Sequence, residues 1–182
     1  MKYLLTLVLT TFMSLQVMAA ELKSQDVSQW LSAMPTLQPW LAKNESALAA
    51  NISEPNNPEV IFNESIPALK KAGLYDELNT KVKKLGYRDV EQWSQITKQL
   101  TFAWMALEME ANKAQIDAAK AQYEAMKANP NTPAAQKAMM EQLMGPALVM
   151  VKLANKSSAA DKGAVKPHQN QLRTYFESQQ KK

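Results

Sequence analysis

The sequence predicts an all-α fold: a single-domain helical bundle of about five to seven helices built around one long helix at about 90–128. Three observations predict it. Glycine is scarce, with four residues in 182. Alternating β-branched runs are absent, and the composition is dominated by Ala, Leu, Met, Gln, Glu and Lys, residues that lose little side-chain freedom in a helix. Apolar residues also recur at spacings of three and four along most of the chain, the period of one helix face.

The chain begins with Met1-Lys2, an apolar run from Leu4 to Leu15, and Val17-Met18-Ala19. The run is too short to span a bilayer. A positive start, a short apolar stretch and small residues after it read as a cleavable signal peptide over 1–19, cut after Ala19 or alternatively after Ala20. The expected mature chain, 20–182, is then a single helical domain that works in the periplasm or is secreted. It contains no cysteine, so its stability must come from packing rather than from disulfides, which favours a bacterial periplasm. Four Asn-x-Ser triplets, starting at Asn44, Asn51, Asn63 and Asn155, read as chance in that setting.

The first helix should cover about Gln25 to Met34, with Val27, Trp30, Leu31 and Met34 on one face, and stop at Pro35. A second segment runs from Thr36 to about Ala50 with Leu37, Trp40, Leu41 and Leu48, followed by a loop to Pro58. Pro58 suits the first turn of the next helix, which Pro67 should bend and Gly73 should end. A short helix, Leu74 to Leu85, then ends at Gly86. Asp89 and Gln92 have the spacing of a capping pair and open the long element from Val90 to about Ala128, a rod of ~58 Å at 1.5 Å per residue. Asn129-Pro130-Asn131 closes it. Thr132 and Pro133 start a helix running to about Asn155 with a bend or break at Gly145-Pro146. A basic C-terminal helix follows from about Ser158, bent near Pro167, with Leu172, Tyr175 and Phe176.

Two faces of the long helix are apolar. Trp93, Ile96, Leu100, Ala103, Leu107, Ala111, Ala114, Ala118, Ala121 and Ala125 fall within an arc of about 80° and read as a packing seam, alanine-only from Ala111 onward. Its expected partner is the Thr132 to Asn155 helix, folded back closely. Phe102, Met105, Met109, Ile116 and Tyr123 form a second line, which implies either a central helix packed on both sides or an exposed groove for a partner or a homodimer. Glu110, Lys113, Asp117, Lys120, Glu124 and Lys127 lie between the two lines as a solvated strip of opposite-charge pairs.

Charge argues little about polyanions. The formal net charge of +4 falls to +3 once Lys2 leaves with the signal, although Lys152 to Lys182 holds seven basic residues and two acidic ones. Nucleic acid is not expected as a partner, since no phosphate-cradling glycine loop or basic strand with interleaved aromatics is present. Lys81, Lys83, Lys84 and Arg88 are the densest basic group, read either as cations favoured at a helix C-terminus or as contacts to anionic lipid.

Chemistry-bearing residues are few. His168 is the only histidine, so any Ser-His-Asp triad would have to use it, without a recognisable nucleophile motif nearby. Zinc sites need several such ligands. The methionine pairs Met105/Met109 and Met140/Met144 sit one helical turn apart, a spacing compatible with copper(I), with core filling, or with an adaptable apolar surface. No cofactor is expected. The sequence therefore reads as an exported, non-catalytic binding protein, an adaptor or chaperone-like protein with a protein partner or client. The alternatives are a peripheral protein on anionic lipid and a hydrolase or lyase using carboxylates alone.

Overall fold

The computed structural model describes residues 21–55 and 57–180. The expected signal peptide at 1–19 and its cleavage site lie outside the described residues. Within them the chain is helical throughout its regular structure: α1 (Ser24–Ala49), α2 (Pro58–Lys71), α3 (Tyr75–Lys84), α4 (Val90–Ala111), α5 (Lys113–Ala128), α6 (Ala134–Ala154), α7 (Ala159–Val165), a 3₁₀ turn (Lys166–His168) and α8 (Gln169–Gln180).

The boundaries follow local chemistry. Asn57 accepts a hydrogen bond from the Glu59 N–H, and Pro58 opens α2. Asp89 accepts from the Gln92 N–H at 2.7 Å to start α4, while the Gln92 side chain returns a bond to the Arg88 N–H at 2.7 Å. Ser158 accepts from the Asp161 N–H to start α7. Both α2 and α3 end in glycines of the left-handed region, Gly73 at φ 70° and Gly86 at φ 90°. The Leu74 N–H returns to the Leu69 carbonyl and the Tyr87 N–H to the Val82 carbonyl, closing both ends.

Three expectations are corrected. The helix expected to stop at Pro35 runs on through Pro35 and Pro39, making α1, at 26 residues, the longest element. Both prolines are exposed, so the carbonyls they leave without an amide partner lie on the solvent side, where water can serve them. The opposite face buries Val27, Trp30, Ala33, Met34, Leu37 and Trp40 without interruption. Each large side chain there contributes about 1.5–3 kcal/mol, enough to carry the helix across. Likewise, α6 continues through exposed Pro146.

The long rod is divided at Asn112. Its side-chain Nδ2 donates to the Glu108 carbonyl at 2.8 Å, the acceptor its own backbone N–H would take in an unbroken helix. That N–H turns instead to the Met109 carbonyl at 3.2 Å, and the backbone opens to φ −114°, ψ 20°. Asparagine has replaced a helical bond with a side-chain one.

The third correction concerns the seam. Trp93, Ile96, Leu100 and Ala103 are buried as expected, but Ala111, Ala114, Ala118, Ala121 and Ala125 are all exposed. Instead, α5 turns the larger side chains of the second apolar line toward α6, burying Tyr123 and half-burying Ile116. A methyl buries about 0.8 kcal/mol of apolar surface, whereas Ile or Met buries about 1.5–3, so the face with the larger side chains prevails.

One hydrophobic cluster joins α1, α2, α3, α4, α7 and α8. Helix α4 is the hub, packing against α1, α2, α3, α6 and α7. An aromatic group pins α8 to both α4 and α1: Trp104 of α4 stacks on Phe176 at 4.4 Å, and Trp30 of α1 meets Tyr175 edge-on at 5.1 Å. The Trp30 indole N–H donates to Thr97 Oγ1 at 2.9 Å, and Arg173 forks onto both oxygens of Glu108.

Candidate functional site: an apolar cleft beside the end of the first helix

The C-terminal half of α1 runs past the body of the core, and the 50–57 loop brings α2 back against it. Three alanines at this crossing, Ala42, Ala49 and Ala68, are too small to fill the space between the helices. A cleft of about 450 Å³ results. Leu41 and Leu48 of α1 form one wall, and Ile61 of α2 with Ile52 and Pro55 of the loop form the other. Leu69, Leu78 and Trp93, all from the buried core, form the floor. Leu41 and Leu48 pack against the core on one side and remain only partly buried on the side of the cleft.

The loop wall is latched. Glu64 of α2 accepts from the Ser53 N–H at 2.7 Å and from Ser53 Oγ at 2.8 Å. These bonds favour the ionised carboxylate and hold its pKa below the ordinary value. Asn57 donates to Glu54 at 2.9 Å within the same loop. At the α8 side, the Tyr175 hydroxyl donates to Gln38 Oε1 at 2.6 Å, and burial pushes that phenol up to about 12. The cleft is thus preformed, and the hydroxyl of Ser65 within it is turned toward the Phe62 carbonyl and Ser94. Glu45 is the sole charged side chain in its lining.

The residues singled out from the sequence lie elsewhere. Phe102 is buried against Phe62, with ring centroids 5.1 Å apart, and Tyr123 is buried between α5 and α6. Met105, Met109 and Ile116 are half-buried on the same line. Of the two readings of this line, central helix or exposed groove, the packing of α6 on α4 and α5 matches the first. Among the basic group, Lys81 pairs with Glu77 at 3.5 Å and Arg88 with Asp89 at 2.7 Å. Lys83 and Lys84 are exposed at the C-terminal end of α3, where its dipole favours them.

Helix packing brings Ser24 Oγ to 2.7 Å from His168 Nε2 across 144 positions of sequence. The other ring nitrogen faces the Gln171 amide at 3.5 Å rather than a carboxylate, and neither partner lines the cleft. Met126 and Met140 pack around Tyr123 between α5 and α6, whereas Met139 stands 59% exposed next to Leu143 at 64%. No group of three or more His, Cys, Asp or Glu side chains with metal-binding geometry occurs among the described residues.

Sequence reasoning missed the cleft. It placed Leu41 and Leu48 on an apolar face, but the space beside them depends on how α2 crosses α1, and the only local trace was the run of small residues at 42 and 49. Comparisons with protein-family models, curated proteins and solved structures find no match for this chain. The fold and site define a class only: an all-α bundle with a latched, open, apolar cleft.

Proposed function

We propose that the chain is an exported, non-catalytic binding protein, adaptor or chaperone-like, whose cleft receives an apolar part of a partner or client. The observation that carries this reading is the 450 Å³ cleft with its apolar lining and buried floor, held open by the Glu64–Ser53 latch. Its size falls in the range of about 300–1,000 Å³ typical of ligand sites, and its lining is mostly apolar with few polar groups. The exposed pair Met139 and Leu143 adds a second apolar patch suited to a protein client. Export rests on the leader read from residues 1–19; among the described residues no helix is long and apolar enough to cross a membrane.

The test is binding of a neutral apolar fluorescent dye by the purified protein, alongside suppression of a client protein's aggregation. Ala42→Trp fills the cleft from its exposed rim and should weaken dye binding at least tenfold while leaving the helical spectrum unchanged. Dye binding unaffected by this substitution, together with no effect on aggregation, would remove the proposal.

A further inference from the structure

Resting on that reading, we infer that the cleft selects amphipathic ligands that carry a positive charge next to an apolar chain. Glu45 is the only charged side chain in the lining, and no hydrogen-bond or ion-pair partner for it occurs among the described residues. Leu48 and Ala49, also in the lining, belong to the last turn of α1. That turn contains no basic residue, whereas α2 ends with Lys70 and Lys71 and α3 with Lys81, Lys83 and Lys84.

A helix C-terminus carries the negative end of the backbone dipole, so a carboxylate near it is disfavoured and a cation favoured. The last carbonyls of α1 are covered by neutral donors only: the Asn51 side chain serves Ala47, the Asn51 N–H serves Leu48 and the Ile52 N–H serves Ala49. A carboxylate without a partner, one turn before a helix end that holds no basic residue, runs against the charge preference of that end. Such local conflicts are expected where a ligand supplies the missing charge. The one charge in the lining of the cleft is negative, and most of the lining is apolar. A ligand with an alkyl or aromatic body and an ammonium or guanidinium group satisfies both halves: the body displaces water from Leu41, Leu48 and Ile61, and the cation pairs with Glu45.

Three probes share one chain and differ only in the head group: decylammonium, decanol and decanoate. Their affinities for the purified protein are measured calorimetrically below micelle-forming concentrations, at low and high salt. Decylammonium should bind about three- to fivefold more tightly than decanol, the size of an exposed ion pair, and decanoate more weakly than either. High salt should shrink the difference. In Glu45→Gln the cation preference should fall to that left by the helix end, with decanol binding unchanged, which also shows that the cleft remains folded. Equal affinity for the three probes, a preference for decanoate, or a cation preference untouched by Glu45→Gln overturns the inference while leaving an apolar binding site standing. Failure of all three to bind overturns the inference and the proposed function together.

Discussion

The carboxylate of Asp161, near the start of α7, accepts a hydrogen bond at 2.9 Å from the backbone N–H of Leu22, 139 positions earlier in the chain. Asp161 is the one buried charged residue among those described, and the Leu22 side chain is itself buried. The bond ties the segment before α1 to the C-terminal third of the molecule. Asp161→Ala leaves that amide buried without an acceptor and should cost about 1–3 kcal/mol in chemical denaturation, with faster exchange of the Leu22 amide. Asp161→Asn keeps an acceptor oxygen and should cost clearly less; equal losses for the two variants would refute this role for the bond.

Tyr87 makes the opposite case. Its hydroxyl is buried and has no hydrogen-bond partner, and burial, assisted by Asp26, pushes the phenol up to about 12. Removing the hydroxyl in Tyr87→Phe should stabilise the protein by about 1 kcal/mol at neutral pH. Because the folded value lies above the ordinary 10, the favourable contribution of this titration is complete below pH 10 and is lost as pH rises through 12. Denaturation curves between pH 8 and 11 should therefore decline less steeply for Tyr87→Phe than for the parent.

Two glycines should respond in opposite directions. Gly86 adopts φ 90°, and an added Cβ would come within 3.1 Å of Gln29 Nε2, which is bonded to the Leu85 carbonyl. Gly86→Ala should cost about 1–2 kcal/mol. Gly145 lies inside α6 with nothing within 4 Å of an added Cβ, so Gly145→Ala should gain about 0.5–1 kcal/mol. Thermal unfolding of both variants separates these outcomes.

The Glu64 latch sets an acid limit on the cleft. Its carboxyl titrates below the ordinary 4.5 because Ser53 N–H and Oγ donate to the ionised form. Its contribution is therefore present above 4.5 and lost as pH falls through the lower folded value. Exchange of the Ser53 amide, corrected for its intrinsic pH dependence, should accelerate in that window, and apolar dye binding should weaken with it. Glu64→Gln should show neither change with pH.

The positions that the sequence marked well are those whose physics is complete within a few residues. Asp89 with Gln92, Pro58, Gly73, Gly86 and Ser158 each solve the problem of unpaired backbone groups at a helix end, and each does so where expected. Asn112 belongs to the same kind, since its bond to the Glu108 carbonyl spans one turn, but asparagine inside a helical pattern does not reveal whether its side chain takes that carbonyl or points to water.

The amino-acid sequence by itself determined that this protein is helical, where most of its helices begin and end, and which side chains are apolar, because capping, proline geometry and the 3.6-residue period act locally. Only the tertiary structure decided that α1 passes through two prolines, that the alanines of α5 face solvent, and that Leu41 and Leu48 border an open cleft. Those outcomes depend on which of several apolar faces meets which neighbour, a choice made by the total surface buried between elements far apart in the chain.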